Sequence, residues 1–221
     1  MMGRSHVVCA AAGWALLAPP LAAALDHPLD PVGFVATLAV AAGAGVGPDI
    51  DHPNATVART HGFISNALAE VIERVSGGHR RATHWLATGV AVGVAVTMAE
   101  RLSPRWALAV ALAICGAWAL RVSNGDCFDR DGAPFIAAAV GFAAYLWVPP
   151  VGLVGAAVGF GWCAHIVCDW VCRGDGVPLL GPVDRERYAA HLFRIGGRGE
   201  ARVAWLASVA AAAVAGRFLI P

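Results

Sequence analysis

The stretch VGFVATLAVAAGAGVGPDIDHP, residues 32–53, carries the reading of the whole chain. Residues 32–48 hold no charge and suit a helix in lipid, and Asp49, Asp51 and His52 follow at once. Two carboxylates and an imidazole at the end of such a segment form either a solvated turn bounded by prolines or one corner of a site. The rest of the chain decides between them.

Composition points to a membrane. Of 221 residues, 58% are hydrophobic and 14% charged, with a mean hydropathy of +0.63. Soluble domains average about 25% charged residues, and a chain this apolar cannot hide its surface in one water-soluble core. Apolar runs able to cross a bilayer fall at about 7–25, 32–48, 83–99, 106–122, 133–148, 151–172 and 202–220. Several fall short of the ~20 residues of an upright span, so thinning of the bilayer or flanking side chains must help. Pro149-Pro150 breaks the chain between the fifth and sixth runs, since proline cannot continue a helix. The expected fold is all-α: a multi-pass transmembrane bundle of about seven spans, one domain over residues 1–221. A rival reading takes Arg4, the first apolar run and AAALD (22–26) as a cleavable signal peptide; continued membrane character downstream favours an uncleaved helix.

All 16 basic residues are arginine. With a cytoplasmic N-terminus and seven crossings, only Arg101, Arg105 and Arg217 lie outside, the distribution the positive-inside rule asks for. The net charge of +1 gives no reason to expect nucleic acid as a partner. The six cysteines show no CxxC pair, and most lie in apolar runs as small hydrophobes. Between the second and third runs, HGFISNALAEVIERV (61–75) places Ile64, Leu68, Val71, Ile72 and Val75 on one helical face. This predicts a short amphipathic helix, lying on the membrane surface or packed on neighbouring loops.

Polar residues gather at one membrane face. Asp49, Asp51 and His52 end the second run, and His79 and His84 of GGHRRATHW (77–85) open the third. His165 and Asp169 of GWCAHIVCDW (161–170) lie in the last turns of the sixth, and His6 opens the first. His165 and Asp169, four apart, share one helical face and can hold one metal ion, or simply hydrogen-bond each other. An unpartnered Asp in a membrane helix costs about 2.5–3.5 kcal/mol, and three further His/Asp clusters on the same side favour the metal. Imidazole and carboxylate donors suit Zn²⁺ or Mn²⁺, with more than one ion accommodated. The plainer readings are a Pro-bounded turn at 49–52 and a helix start capped by Thr83 at 79–84. Arg80 and Arg81 either grip a phosphate bidentately or act as positive-inside anchors. His27, His61 and His191 read as loop or interface residues, Glu100, Asp126, Asp129 and Asp131 as loop charges, and Cys168 and Cys172 as packed thiols.

These elements resemble the YdjM-like, LexA-regulated membrane-bound metal-dependent hydrolases. The resemblance rests on Ser5-His6, PDIDHP (48–53), HRRATH (79–84), AHIVCD (164–169) and GVPLLGP (176–182), spanning residues 5–182 and leaving the last span, 202–220, outside. The motif pattern is also similar to zinc-dependent phospholipase C. The resemblance implies that His6, Asp49, Asp51, His52, His79, His84, His165 and Asp169 include the metal ligands, and that a phosphoester such as a lipid headgroup is hydrolysed. Asp51 or Asp49 would then orient or deprotonate the attacking water. Arg81 and Trp85 depart from the family's usual glycine and serine, which bears on substrate rather than metal. Membrane lipid and a phosphoester substrate are the expected partners, at the cytoplasmic face of a bacterial inner membrane. The competing readings are a divalent-cation transporter or sensor, and a non-catalytic membrane scaffold.

Overall fold

Each of the seven apolar runs forms a helix in the computed structural model, which describes residues 3–124 and 132–219. They are α1 (Gly3–Ala24), α2 (Pro31–Ala44), α5 (Leu86–Leu102), α6 (Pro104–Asn124), α7 (Gly132–Trp147), α8 (Val154–Val171) and α9 (Arg198–Leu219). A one-turn α3 (Thr56–Arg59) and the longer α4 (Gly62–Ser76) bridge α2 and α5. No strand occurs among the described residues; two isolated bridges, Cys172 with Phe193 and Val177 with Tyr188, fold the segment after α8 back on itself. Asp126, Cys127, Asp129, Arg130 and Asp131 lie outside the described residues.

Four segments are long and apolar enough to cross a membrane by length and composition: α1, Pro31–Asp51, α6 and α8. α7 is apolar but shorter, with 16 residues. α5 and α9 are helical as expected without being among the four: α5 has 17 residues with Glu100 and Arg101 in its last turn, and α9 carries Arg198, Glu200, Arg202 and Arg217.

α2 is the axis of the bundle, packed against α1, α6 and α8. Its start is fixed by Asp30, whose carboxylate accepts from Gly33 N–H at 2.6 Å, with Pro31 in the first turn where no donor is needed. Small residues then let backbones touch. A Cβ on Gly43 would collide with the Cys115 carbonyl of α6, and one on Gly161 of α8 with the Ala41 carbonyl. Without water to drive apolar contact, close backbone approach of this kind is what holds helices together in lipid. Trp14 of α1 donates to Thr37 of α2 at 3.1 Å, and Thr37 donates back to Gly33 O, so both buried polar groups are satisfied.

Glu100 is a buried cap rather than a loop charge. It is 7% exposed, and its carboxylate accepts from Val154 N–H at 3.0 Å and Gly155 N–H at 3.2 Å, where α8 starts. Free N–H groups at a helix start attract a carboxylate, and α5 ends beside that start.

α4 is the expected amphipathic helix. Ser65 and Ala69 are buried against the preceding turn, while Phe63, Ile64, Leu68, Val71 and Val75 face outward. Gly77 closes it in the left-handed conformation (φ 85°), with its N–H on the Arg74 carbonyl.

Candidate metal centre

Four helix ends meet at one end of the bundle: the start of α1, the turn after α2, the turn before α5 and the last turns of α8. Asp49 and Asp51 lie in a 3₁₀ turn, Gly47–Asp51. At three residues per turn, side chains two apart diverge by about 120°, so these carboxylates serve different partners.

Asp51 is fully enclosed and faces the loop before α5. It accepts from His79 Nδ1 at 2.7 Å, from Arg80 N–H at 3.1 Å and from the Thr83 hydroxyl, with His84 Nδ1 at 3.5 Å. Thr83 therefore serves Asp51 instead of capping a helix. Its carbonyl accepts from Trp162 Nε1 of α8 at 2.8 Å, which pins the loop to the bundle. Arg80 adopts a left-handed backbone (φ 58°), a strained state for a side chain with a Cβ. Two contacts hold it there: its N–H on Asp51, and its guanidinium on Asp169 Oδ2 at 3.0 Å.

Asp49 faces the other way, toward α8. Its Oδ1 lies 3.5 Å from His165 Nε2 and 3.8 Å from His84 Nε2. His165 donates through Nδ1 to the Gly45 carbonyl at 2.9 Å, which leaves its Nε2 as the lone-pair nitrogen. Asp51 and Thr83 do the same for His84 through Nδ1. Burial pushes the His84 imidazole below its ordinary pKa, outweighing the upward pull of Asp51, and keeps it in the neutral, ligating form. His6 stacks on His165 with ring centroids 3.8 Å apart, and its Nε2 lies 3.2 Å from Asp169 Oδ1.

Two groups of donor atoms result: His6, His165 and Asp169, and Asp49, His79 and His84, each set lying within 4.8 Å of one another. A divalent ion fits this set on a specific observation. The Nε2 atoms of His84 and His165 are buried without a hydrogen-bond partner, and both point at one carboxylate oxygen of Asp49. Leaving such acceptors unsatisfied costs ~1–3 kcal/mol each, which an ion among them would remove.

The sequence-derived candidates thus divide. His6, Asp49, His79, His84, His165 and Asp169 supply the donor groups, and Asp51 orients two of the imidazoles. His52 is exposed at the rim, its ring 5.0 Å from that of His79, and belongs to neither group. Arg81 lines a separate cavity with Trp85 and Arg185. Cys168 and Cys172 are free thiols outside both groups.

An all-helical membrane chain with a buried set of imidazoles and carboxylates at one end is the class these features define. The chain belongs to the YdjM inner membrane protein family, whose sequence profile matches residues 1–220 and so takes in α9 as well. Comparison with curated proteins and with solved structures finds no match.

Proposed function

We propose that the chain is a membrane-embedded, metal-dependent hydrolase of phosphoesters, with its N-terminus and its site at the cytoplasmic face of the inner membrane. The observation that supports this most is the convergence of two buried, unbonded imidazole nitrogens on Asp49, a carboxylate that is itself 30% exposed. His6, His165 and Asp169, with Asp49, His79 and His84, would hold Zn²⁺ or Mn²⁺, which would supply Lewis-acid chemistry, drawing the pKa of a water toward ~7 and offsetting phosphate charge.

The remaining work falls to the chain's own groups. Asp49 reaches both the imidazoles and solvent, so it orients the attacking water and accepts its proton. Asp51 is enclosed and cannot reach that water; it is a positioning residue that holds His79 and His84 by their Nδ1 atoms. The Gly45 carbonyl does the same for His165. Arg80 offsets the charge of Asp169.

The test is elemental analysis of purified protein beside turnover of bis(p-nitrophenyl) phosphate and of phospholipid in detergent. Wild type carries at least one divalent ion, a chelator abolishes turnover and added Zn²⁺ restores it, while Asp169→Ala loses both metal and turnover. Wild type that neither retains nor takes up a divalent ion, or Asp169→Ala that keeps metal and turnover, refutes the reading. Bound metal without any turnover leaves a cation-binding protein and refutes the hydrolase.

A further inference from the structure

Asp49 opens onto a cavity of about 470 Å³ whose other polar walls come from two arginines. Arg4 stands in the first turn of α1, two residues before His6, and Arg121 in the last turn of α6. Thr56, the first residue of α3, closes a third side, and Val46, Val57 and Val122 complete an apolar rim. Arg4 donates through Nε to the Val122 carbonyl at 3.3 Å, which braces its guanidinium across the gap between α1 and α6.

We infer that this cavity is the binding site for the phosphoryl group, with Arg4 and Arg121 as its anion-gripping residues. Three features carry the assignment. The cavity meets the donor groups at Asp49, which with His79 is open to solvent, whereas His6, His84, His165 and Asp169 are closed off, so a ligand in this cavity reaches the donors through this carboxylate. Two arginines and one carboxylate line it, and planar forked donors match the oxygens of a phosphate better than any other basic side chain. The volume falls within the ~300–1,000 Å³ of small-ligand sites, enough for a phosphate with part of its ester group.

The arginines beside the histidine motif line no part of this cavity. Arg80 is engaged with Asp169, and Arg81 lines a cavity of about 400 Å³ that contains none of the six donor residues. Neither residue 4 nor residue 121 belongs to the motifs that mark the metal ligands, so the sequence pattern alone does not point to them. Their position does. α1 and α6 are both long enough to span a membrane, and the cavity lies between the start of one and the last turn of the other.

This inference deepens the hydrolase reading for its chemistry, yet binding is measurable without turnover. Full-length, Zn²⁺-loaded protein in detergent is titrated with inorganic phosphate by calorimetry. A second arm measures binding to nanodiscs of phosphatidylcholine with and without phosphatidate. Arg4→Gln and Arg121→Gln each weaken binding about tenfold and the double variant about a hundredfold, that is ~1.4 and ~2.8 kcal/mol. Arg121→Lys retains part of the affinity, and metal content matches wild type throughout. Losses confined to the phosphatidate arm assign the site to a lipid headgroup, and losses confined to the phosphate arm to a soluble ester. A double variant that binds both ligands like wild type overturns the site, even where turnover persists. Phosphate binding lost in the double variant alongside a wild type that hydrolyses nothing keeps the site and removes the hydrolase.

Discussion

Replacing Asp51 with Asn keeps the shape of the side chain and removes its charge. In the folded protein that carboxylate receives three donors, from His79, Arg80 and Thr83, with His84 close by, and no water reaches it. An amide offers one acceptor oxygen and turns an NH₂ donor toward a group that is itself a donor. At least one charge-assisted hydrogen bond is therefore lost, worth ~1.5–3 kcal/mol. Removing an outer partner of metal-bound histidines typically lowers metal affinity ~10–100-fold, which is ~1.4–2.8 kcal/mol. The two routes to the magnitude agree. The assay is competition for Zn²⁺ against a chromophoric chelator, with thermal melting of the metal-free forms run in parallel. Asp51→Asn is expected to bind Zn²⁺ ~10–100-fold more weakly. It should do so with its zinc stoichiometry recoverable at high metal, whereas Asp169→Ala does not recover. Affinity within twofold of wild type would refute the role given to Asp51.

Two further outcomes follow from groups outside the membrane-spanning segments or at their ends. The His84 pKa is depressed by burial, so the unfolded chain takes up a proton there before the folded one does. Its contribution to stability is therefore complete above the ordinary histidine value near 6.5 and lost as pH falls below it; melting from pH 8 to 5 should show this decline, and His84→Gln should flatten it. Glu100→Gln removes the charged cap at the start of α8 and should cost ~1–2 kcal/mol in unfolding while leaving zinc content unchanged.

Much of this architecture was legible in the residues alone, for identifiable reasons. Apolar runs in a charge-poor chain form helices because lipid leaves backbone groups no other partner, and all seven runs do so. The meeting of His6, Asp49, His84, His165 and Asp169 followed from their positions at helix ends, since crossings alternate direction. Roles decided by side-chain direction were not legible. Asp51 finds Thr83 across 32 residues and Arg80 across 29, a pairing that no local period announces. Thr83 looked like a cap and Glu100 like a loop charge because sequence gives the element but not the neighbour at its end. The left-handed Arg80 has no signature either, since arginine rarely adopts it.

Asp169 joins residue 6 to residue 80 through its two oxygens, and it is the last donor to leave the ribosome. Until α8 arrives, the imidazole of His6 lacks its carboxylate and the guanidinium of Arg80 its counter-charge. Completion of the chain through residue 169 is thus the event that locks the earlier helices together. Any truncation upstream leaves a product carrying stranded polar groups in lipid, the kind of defect that membrane quality control removes.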